Sequence, residues 1–171
     1  MSLTTILMHA PTWVWILLAA LVTLGLKQSL PRQVSLGRAA VLPVAMVVLS
    51  ISGTVSAFHG QAAALGSWAA GVAAALLLTR VLGLWRGIGW SAEHRCLEVP
   101  GSWLPLALIL ALFSLKFAVG ASLAMHPTLA HDTSLAAAAG LAYGFFSGAF
   151  LGRSVVMWQA AHRGLQAPLA Y

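Results

Sequence analysis

WLPLALILALFSLKFAVGASLAM, from Trp103 to Met125, carries a single charge, Lys116, inside an otherwise apolar run. At a helical rise of about 1.5 Å per residue the run reaches roughly 30 Å, the thickness of a bilayer's hydrocarbon core, with the lysine near its middle. An ammonium at that depth costs about 2.5 to 3.5 kcal/mol on insertion scales, so its side chain is expected to face a bundle interior or an aqueous cavity rather than lipid.

The remainder of the chain repeats the apolar pattern. Of 171 residues 60% are hydrophobic and 7% charged, far below the charged share of a water-soluble domain, which is about 25%. Apolar stretches cover residues 6–26, 39–58, 62–85, 103–125 and 135–158, each close to the length a spanning helix needs. The expected fold is therefore an all-α integral membrane protein, one transmembrane domain over residues 1–171 with five helices. Its environment is a lipid bilayer.

Charge gives the orientation. Lys27, Arg32 and Arg38 fill the first loop and Arg86 and Arg95 the third, while the second loop (residues 59–61) and the fourth (residues 126–134) hold neither lysine nor arginine. The positive-inside rule then sets the N-terminus outside and the C-terminus inside. Arg80, Arg153 and Arg163 fall on the inner side as well, so eight of the nine basic residues agree and Lys116 alone does not. Arg80 and Arg153 lie about one turn inside the inner boundary, from which their guanidinium groups are expected to snorkel outward. The net charge of +6 prompts a nucleic-acid reading, which this confinement of charge to short loops rejects. The first helix has no basic segment before it, unlike a signal peptide, and is read as a retained span. Tryptophans 13, 15 and 68 toward the outer boundary, and 85, 90, 103 and 158 toward the inner one, read as interfacial anchors. Cys96 is the only cysteine, so no intrachain disulfide or multi-thiolate site is available.

Two hairpins share features. Leu42-Pro43 and Leu104-Pro105 each open one, and Arg80 precedes Trp85 by the same five positions that separate Arg153 from Trp158. Two tandem hairpins after an N-terminal helix would produce this pattern, and so would the shared chemistry of a membrane interface. In a duplication Thr54 takes the position of Lys116. Gly140, Gly144, Gly148 and Gly152 recur every four residues down the fifth helix, a stripe that admits a neighbouring backbone, in the same chain or in another protomer. Gly120 and Ala124 extend the Lys116 face of the fourth helix in the same way.

No Asp or Glu occurs in any span: Glu93 and Glu98 belong to the third loop and Asp132 to the fourth. Lys116 thus has no built-in countercharge. Either the amine is carried neutral, or hydroxyl and carbonyl groups surround it, or a ligand or partner chain supplies an anion. Counting depth from the helix ends brings Ser50 of the second helix and Tyr143 and Ser147 of the fifth to within about one turn of its level, and Thr54 shares the Ser50 face of the second helix. Taken singly, each hydroxyl is explained by bonding to its own helix or by packing. Around a central lysine they outline a ligand-binding site.

His9, His59, His126 and His131 gather at the outer face near Asp132 and have donor chemistry suited to zinc or copper, although their spacing matches no recognised metal motif. Haem fits less well, because ligands at helix ends would leave much of the macrocycle outside the bundle. Asp132 to Ser134 also read as the N-cap of the fifth helix, and Ser102 with Pro105 as the start of the fourth. No nucleophilic triad, nucleotide loop or catalytic carboxylate pair is present, which weighs against an enzyme.

The segments HAPTWVWILLAALVTLGL, RAAVLPVAMVVLSISGTVSAF, PGSWLPLALILALFSLKFAVG and YGFFSGAFLGR resemble those of a family of small, uncharacterised inner-membrane proteins of Gram-negative bacteria. The resemblance covers nearly the whole chain and implies the compartment and the helical architecture, with no activity attached. The functional expectation is binding or passage of a small anionic or polar ligand at Lys116. The alternatives are a homo-oligomeric or partner-bound accessory subunit whose Lys116 meets an acid, or a metal or redox protein using the outer histidines.

Overall fold

The computed structural model describes residues 12–85, 87–91 and 96–166. His9, Arg86, Glu93, His94, Arg95 and the start of the first expected span lie outside these residues, as do the side chains of Trp13 and Arg38. Among the described residues there are five α-helices: α1 (Thr12–Ser29), α2 (Leu36–Phe58), α3 (Ala62–Val81), α4 (Leu104–Met125) and α5 (Thr133–Gln166). Helices α2 to α5 are long and apolar enough to cross a membrane, and α1 is a shorter apolar helix over its described length. Burial is inverted relative to a water-soluble bundle. Val41, Val44, Val48 and Leu77 are exposed, whereas Ser50, Thr54, Thr79, Ser147 and Arg153 are buried, the distribution expected where lipid is the outer solvent.

The glycine stripe forms the central seam, and its neighbour is α3 of the same chain. A Cβ on Gly140 would strike the Ala64 carbonyl, one on Gly144 the Trp68 carbonyl, and one on Gly148 would lie 2.6 Å from the Val72 carbonyl. Gly71 answers from α3, where a Cβ would run into the Leu141 carbonyl. Contacts advance in the same direction along both helices, so α3 and α5 are parallel. Two tandem hairpins would arrange them so, as would any chain of alternating spans.

Local chemistry fixes the helix ends. His59 (φ 51°) and Gly60 (φ 72°) turn left-handed to close α2 and begin α3 within three residues. Asp132 caps α5, its Oδ1 accepting from the backbone N–H of Ser134 (2.8 Å) and Leu135 (3.1 Å). Ser102 Oγ accepts from the N–H of Leu104 (3.2 Å), which starts α4. Helix α3 stops at Val81, short of the expected Trp85, because Gly83 (φ 56°) takes the left-handed position of a Schellman motif. The Leu84 N–H reaches the Thr79 carbonyl (3.1 Å) and the Gly83 N–H the Arg80 carbonyl (3.3 Å). Inside α2, Pro43 has no N–H to offer the carbonyl of Ala39. The hydroxyl of Ser154 donates to that oxygen instead (3.3 Å), tying α5 to α2 where the proline breaks the ladder.

A second departure from expectation is a small antiparallel sheet at one end of the bundle, built from segments that read as plain loops. Strands β1 (Arg32–Val34), β2 (Gly89–Ser91) and β3 (Cys96–Val99) pair in the order β1-β3-β2, with Arg32 opposite Val99 and Trp90 opposite Leu97. Val34, Leu97 and Val99 turn one face onto Met157 and Ala161 of α5. That apolar face explains why α5 continues beyond the expected end at Trp158 to Gln166. Cys96 is a buried free thiol in this sheet.

Candidate functional site

Of the residues expected near Lys116, Tyr143 touches it, Ser50 and Ser147 bond to the Tyr143 carbonyl, and Thr54 bonds to the Ser50 carbonyl. Lys116 is half-buried between α2 and α5. Its Nζ donates to the Leu49 carbonyl at 3.5 Å and sits 4.6 Å from the centre of the Tyr143 ring, a cation–π contact. Gly53, which sequence reasoning passed over, makes the space: a Cβ there would lie 2.5 Å from Nζ. The missed signal was the lone glycine in SISGT, level with a mid-span charge.

The hydroxyl groups nearby face inward and are satisfied within the protein. Ser50 Oγ donates to the Tyr143 carbonyl (3.2 Å) and accepts from Trp68 Nε1 (3.0 Å). Trp68 therefore turns into the bundle rather than serving as an interfacial anchor, because its indole N–H has a buried acceptor there. Thr54 Oγ1 donates to the Ser50 carbonyl (2.9 Å) and Ser147 Oγ to the Tyr143 carbonyl (3.0 Å), each bonding four residues back on its own helix. Ser50 alone of the three ties helices together, joining α2 to α5 through the Tyr143 carbonyl and to α3 through the Trp68 indole. The ammonium itself rests on one long hydrogen bond and a ring face, and among the described residues it has no acidic partner. One turn further on the same face of α4, Gly120 is exposed and a Cβ there would meet nothing within 4 Å, with Ala124 exposed beyond it. The face of α4 that carries Lys116 is thus uncovered at Gly120 and Ala124.

At the opposite end from the sheet, the two helical turns meet. His59 and His131 stack with ring centroids 5.8 Å apart, and Gln61 Nε2 donates to the Ala130 carbonyl (2.9 Å). His126 is exposed at the start of the short 3-10 turn Pro127–His131, and Asp132 is engaged as the α5 cap. Among the described residues no three His, Cys, Asp or Glu side chains come close enough to hold a metal ion.

A further cluster at the sheet end departs from the sequence reading. Arg80 is exposed, as snorkelling requires, but Arg153 is only 5% exposed. Its Nη1 donates to Oε1 of the buried Gln28 (2.6 Å), and its guanidinium carbon lies 5.0 Å from the centre of a Trp85 ring. Arg153 points inward because it falls on the buried stripe of α5 that runs through Ala139, Tyr143, Ser147, Phe150 and Met157. That helical register was the available signal. Arg32 lies close enough for the two guanidinium groups to repel each other, and burial lowers the Arg32 pKa below its ordinary value. Trp85 is held at φ 68°, between left-handed Gly83 and Gly87, a conformation that costs a bulky residue about 1 to 2 kcal/mol.

No curated protein and no solved structure matches the chain. The sequence pattern of a family of unknown function, DUF6622, matches residues 1–167, nearly the whole length, in keeping with the resemblance to an uncharacterised family. The chain belongs to the DUF6622 family.

Proposed function

We propose that this protein is a bacterial inner-membrane bundle, N-terminus outside and C-terminus inside, that binds a small anionic or polar group in the groove at Lys116. The observation that carries the proposal is the half-buried ammonium without an acidic partner among the described residues, on a face of α4 that is uncovered at Gly120. An ammonium in hydrocarbon gains most from an anion brought to it, because attraction between charges strengthens as the dielectric falls. Orientation rests on charge. Lys27, Arg32, Arg80, Arg153 and Arg163 belong to the sheet end, whereas the His59 and His131 turns at the other end carry neither lysine nor arginine.

The test compares wild type, Lys116→Arg and Lys116→Met for thermal stabilisation by a panel of inorganic phosphate, short carboxylates and anionic lipid. A ligand at a hundred times its Kd stabilises by about 2.7 kcal/mol, which at roughly 2 to 4 °C per kcal/mol is a shift on the order of 5 to 10 °C. Wild type should show the shift for one class, Lys116→Arg should retain part of it, and Lys116→Met should lose it. A shift undiminished in Lys116→Met refutes the proposal.

Accessory-subunit function is the second reading, favoured by the exposed Gly120 and Ala124, which leave room for a partner helix, or a second copy, to bring an acid to the lysine. Under this reading Lys116→Met releases the partner and lowers stability, and no small ligand stabilises any of the three proteins.

A further inference from the structure

The sheet end holds a second concentration of positive charge, separate from the Lys116 groove, and its polar atoms do not balance. Arg153 Nε, Arg32 Nε and Trp85 Nε1 are buried without a hydrogen-bond partner, and all three are donors. A buried donor left unmade is costly, and native proteins seldom leave several together. Among the described residues Gln28 Oε1 accepts from Arg153 Nη1, and no acid there is paired with the group. Asp132 caps α5 at the other end of the bundle, and Glu93 lies outside the described residues. Glu98 stands opposite Gln33 in the sheet register and lines the same surface pocket as Arg32, but no ion pair joins the two.

We propose that Arg32, Arg153 and Trp85 form a binding site for a phosphate-type anion at the junction of the helical bundle and the sheet. A tetrahedral oxyanion presents several acceptors at once, which suits two planar guanidinium forks and an indole N–H, and its charge offsets the repulsion between the arginines. Beside Arg32 a pocket of about 470 Å³ opens to the surface, with Gly87, Val99 and Pro100 in its wall and Glu98 also lining it. The left-handed backbone at Trp85, which sets its indole against Arg153, is a local strain of the kind retained where a side chain must be aimed. Gly152, the residue before Arg153, packs on Thr79 two residues from the end of α3, so Arg153 stands near the end of that span, where a lipid phosphate group comes within reach. The phosphate group therefore belongs either to an anionic lipid headgroup or to a free anion, and the experiment separates the two.

The full-length protein, purified in a zwitterionic detergent, is titrated at constant ionic strength with inorganic phosphate and, separately, with phosphatidylglycerol or phosphatidylcholine, and thermal stability is recorded. Arg32→Gln removes one guanidinium from the sheet edge without opening the helix core, and Arg80→Gln removes an exposed arginine at the same end. Phosphatidylglycerol should stabilise wild type and Arg80→Gln alike, and about tenfold more lipid should be needed for Arg32→Gln, the loss of a charge-assisted hydrogen bond. Stabilisation by inorganic phosphate with the same dependence on Arg32 assigns a free anion as the source. Stabilisation by neither anion overturns the proposal. So does an equal loss in Arg80→Gln, which would mark general surface charge, or a loss in Lys116→Met rather than Arg32→Gln, which would place the anion in the Lys116 groove.

Discussion

Gly144→Ala adds one methyl group to the tightest point of the α3–α5 seam. Its Cβ would strike the Trp68 carbonyl oxygen and lie 2.7 and 2.9 Å from the Trp68 carbonyl carbon and Cα, against an optimum of about 3.5 to 4.0 Å between carbons. All three atoms are backbone, so no rotamer change relieves the contact. The helices must separate by roughly 1 Å, which also loosens the Gly140 and Gly148 contacts on either side. Overpacking of this kind costs about 1 to 3 kcal/mol, and the better helix propensity of alanine returns about 0.5 to 1. The net expectation is a destabilisation of about 1 to 2 kcal/mol, or roughly 2 to 8 °C for a chain of this size. Thermal unfolding followed by circular dichroism in detergent measures it, with Gly66→Ala as the control because a Cβ there meets nothing within 4 Å. Equal stability of the two variants would refute a close-packed seam.

Three other outcomes follow from local contacts. Ser154→Ala should cost about 0.5 to 1.5 kcal/mol in wild type and almost nothing in a Pro43→Ala background, where residue 43 regains an N–H for the Ala39 carbonyl; a double-mutant cycle without coupling would reject the bridge. Gly83→Ala should lower stability by about 1 kcal/mol, since alanine resists the left-handed position that ends α3, and an unchanged unfolding midpoint would contradict that role. For orientation, a membrane-impermeant thiol reagent applied to intact spheroplasts of a Cys96→Ala background should label Thr128→Cys and spare Gln33→Cys, whereas the reverse pattern inverts the topology; native Cys96 is a poor reporter because it is buried.

Hydropathy carried most of the architecture. The boundaries at Phe58, Ala62 and Met125 agree with the expected spans because lipid selects apolar length directly, and Asp132 announced the start of α5 through its capping chemistry. Helical rise alone placed Ser50, Tyr143 and Ser147 beside Lys116, because depth in a membrane is shared by all spans. What remained hidden depends on rotation and on pairing at a distance. Arg153 and Trp68 differ from snorkelling or interfacial residues only in the direction they face; for Arg153 the register of the α5 stripe held that direction, whereas for Trp68 only the neighbouring helix, with its Ser50 acceptor, reveals it. The strands have three or four residues each, too short for alternation to stand out from a loop, and β1 pairs with β3 across more than sixty positions. The stripe at Gly140 to Gly152 was legible as a packing face, but only the fold identifies α3 as its neighbour.

The central claim is that Lys116 meets an anionic group, and native mass spectrometry of protein released directly from membrane vesicles tests it most directly. Wild type should carry a bound anion, or a partner chain, that is absent from Lys116→Met prepared in parallel and present at intermediate occupancy on Lys116→Arg. Identical bound masses on all three proteins, or bare protein in every case, would contradict the claim and leave Lys116 as a packing residue held by Leu49 and Tyr143.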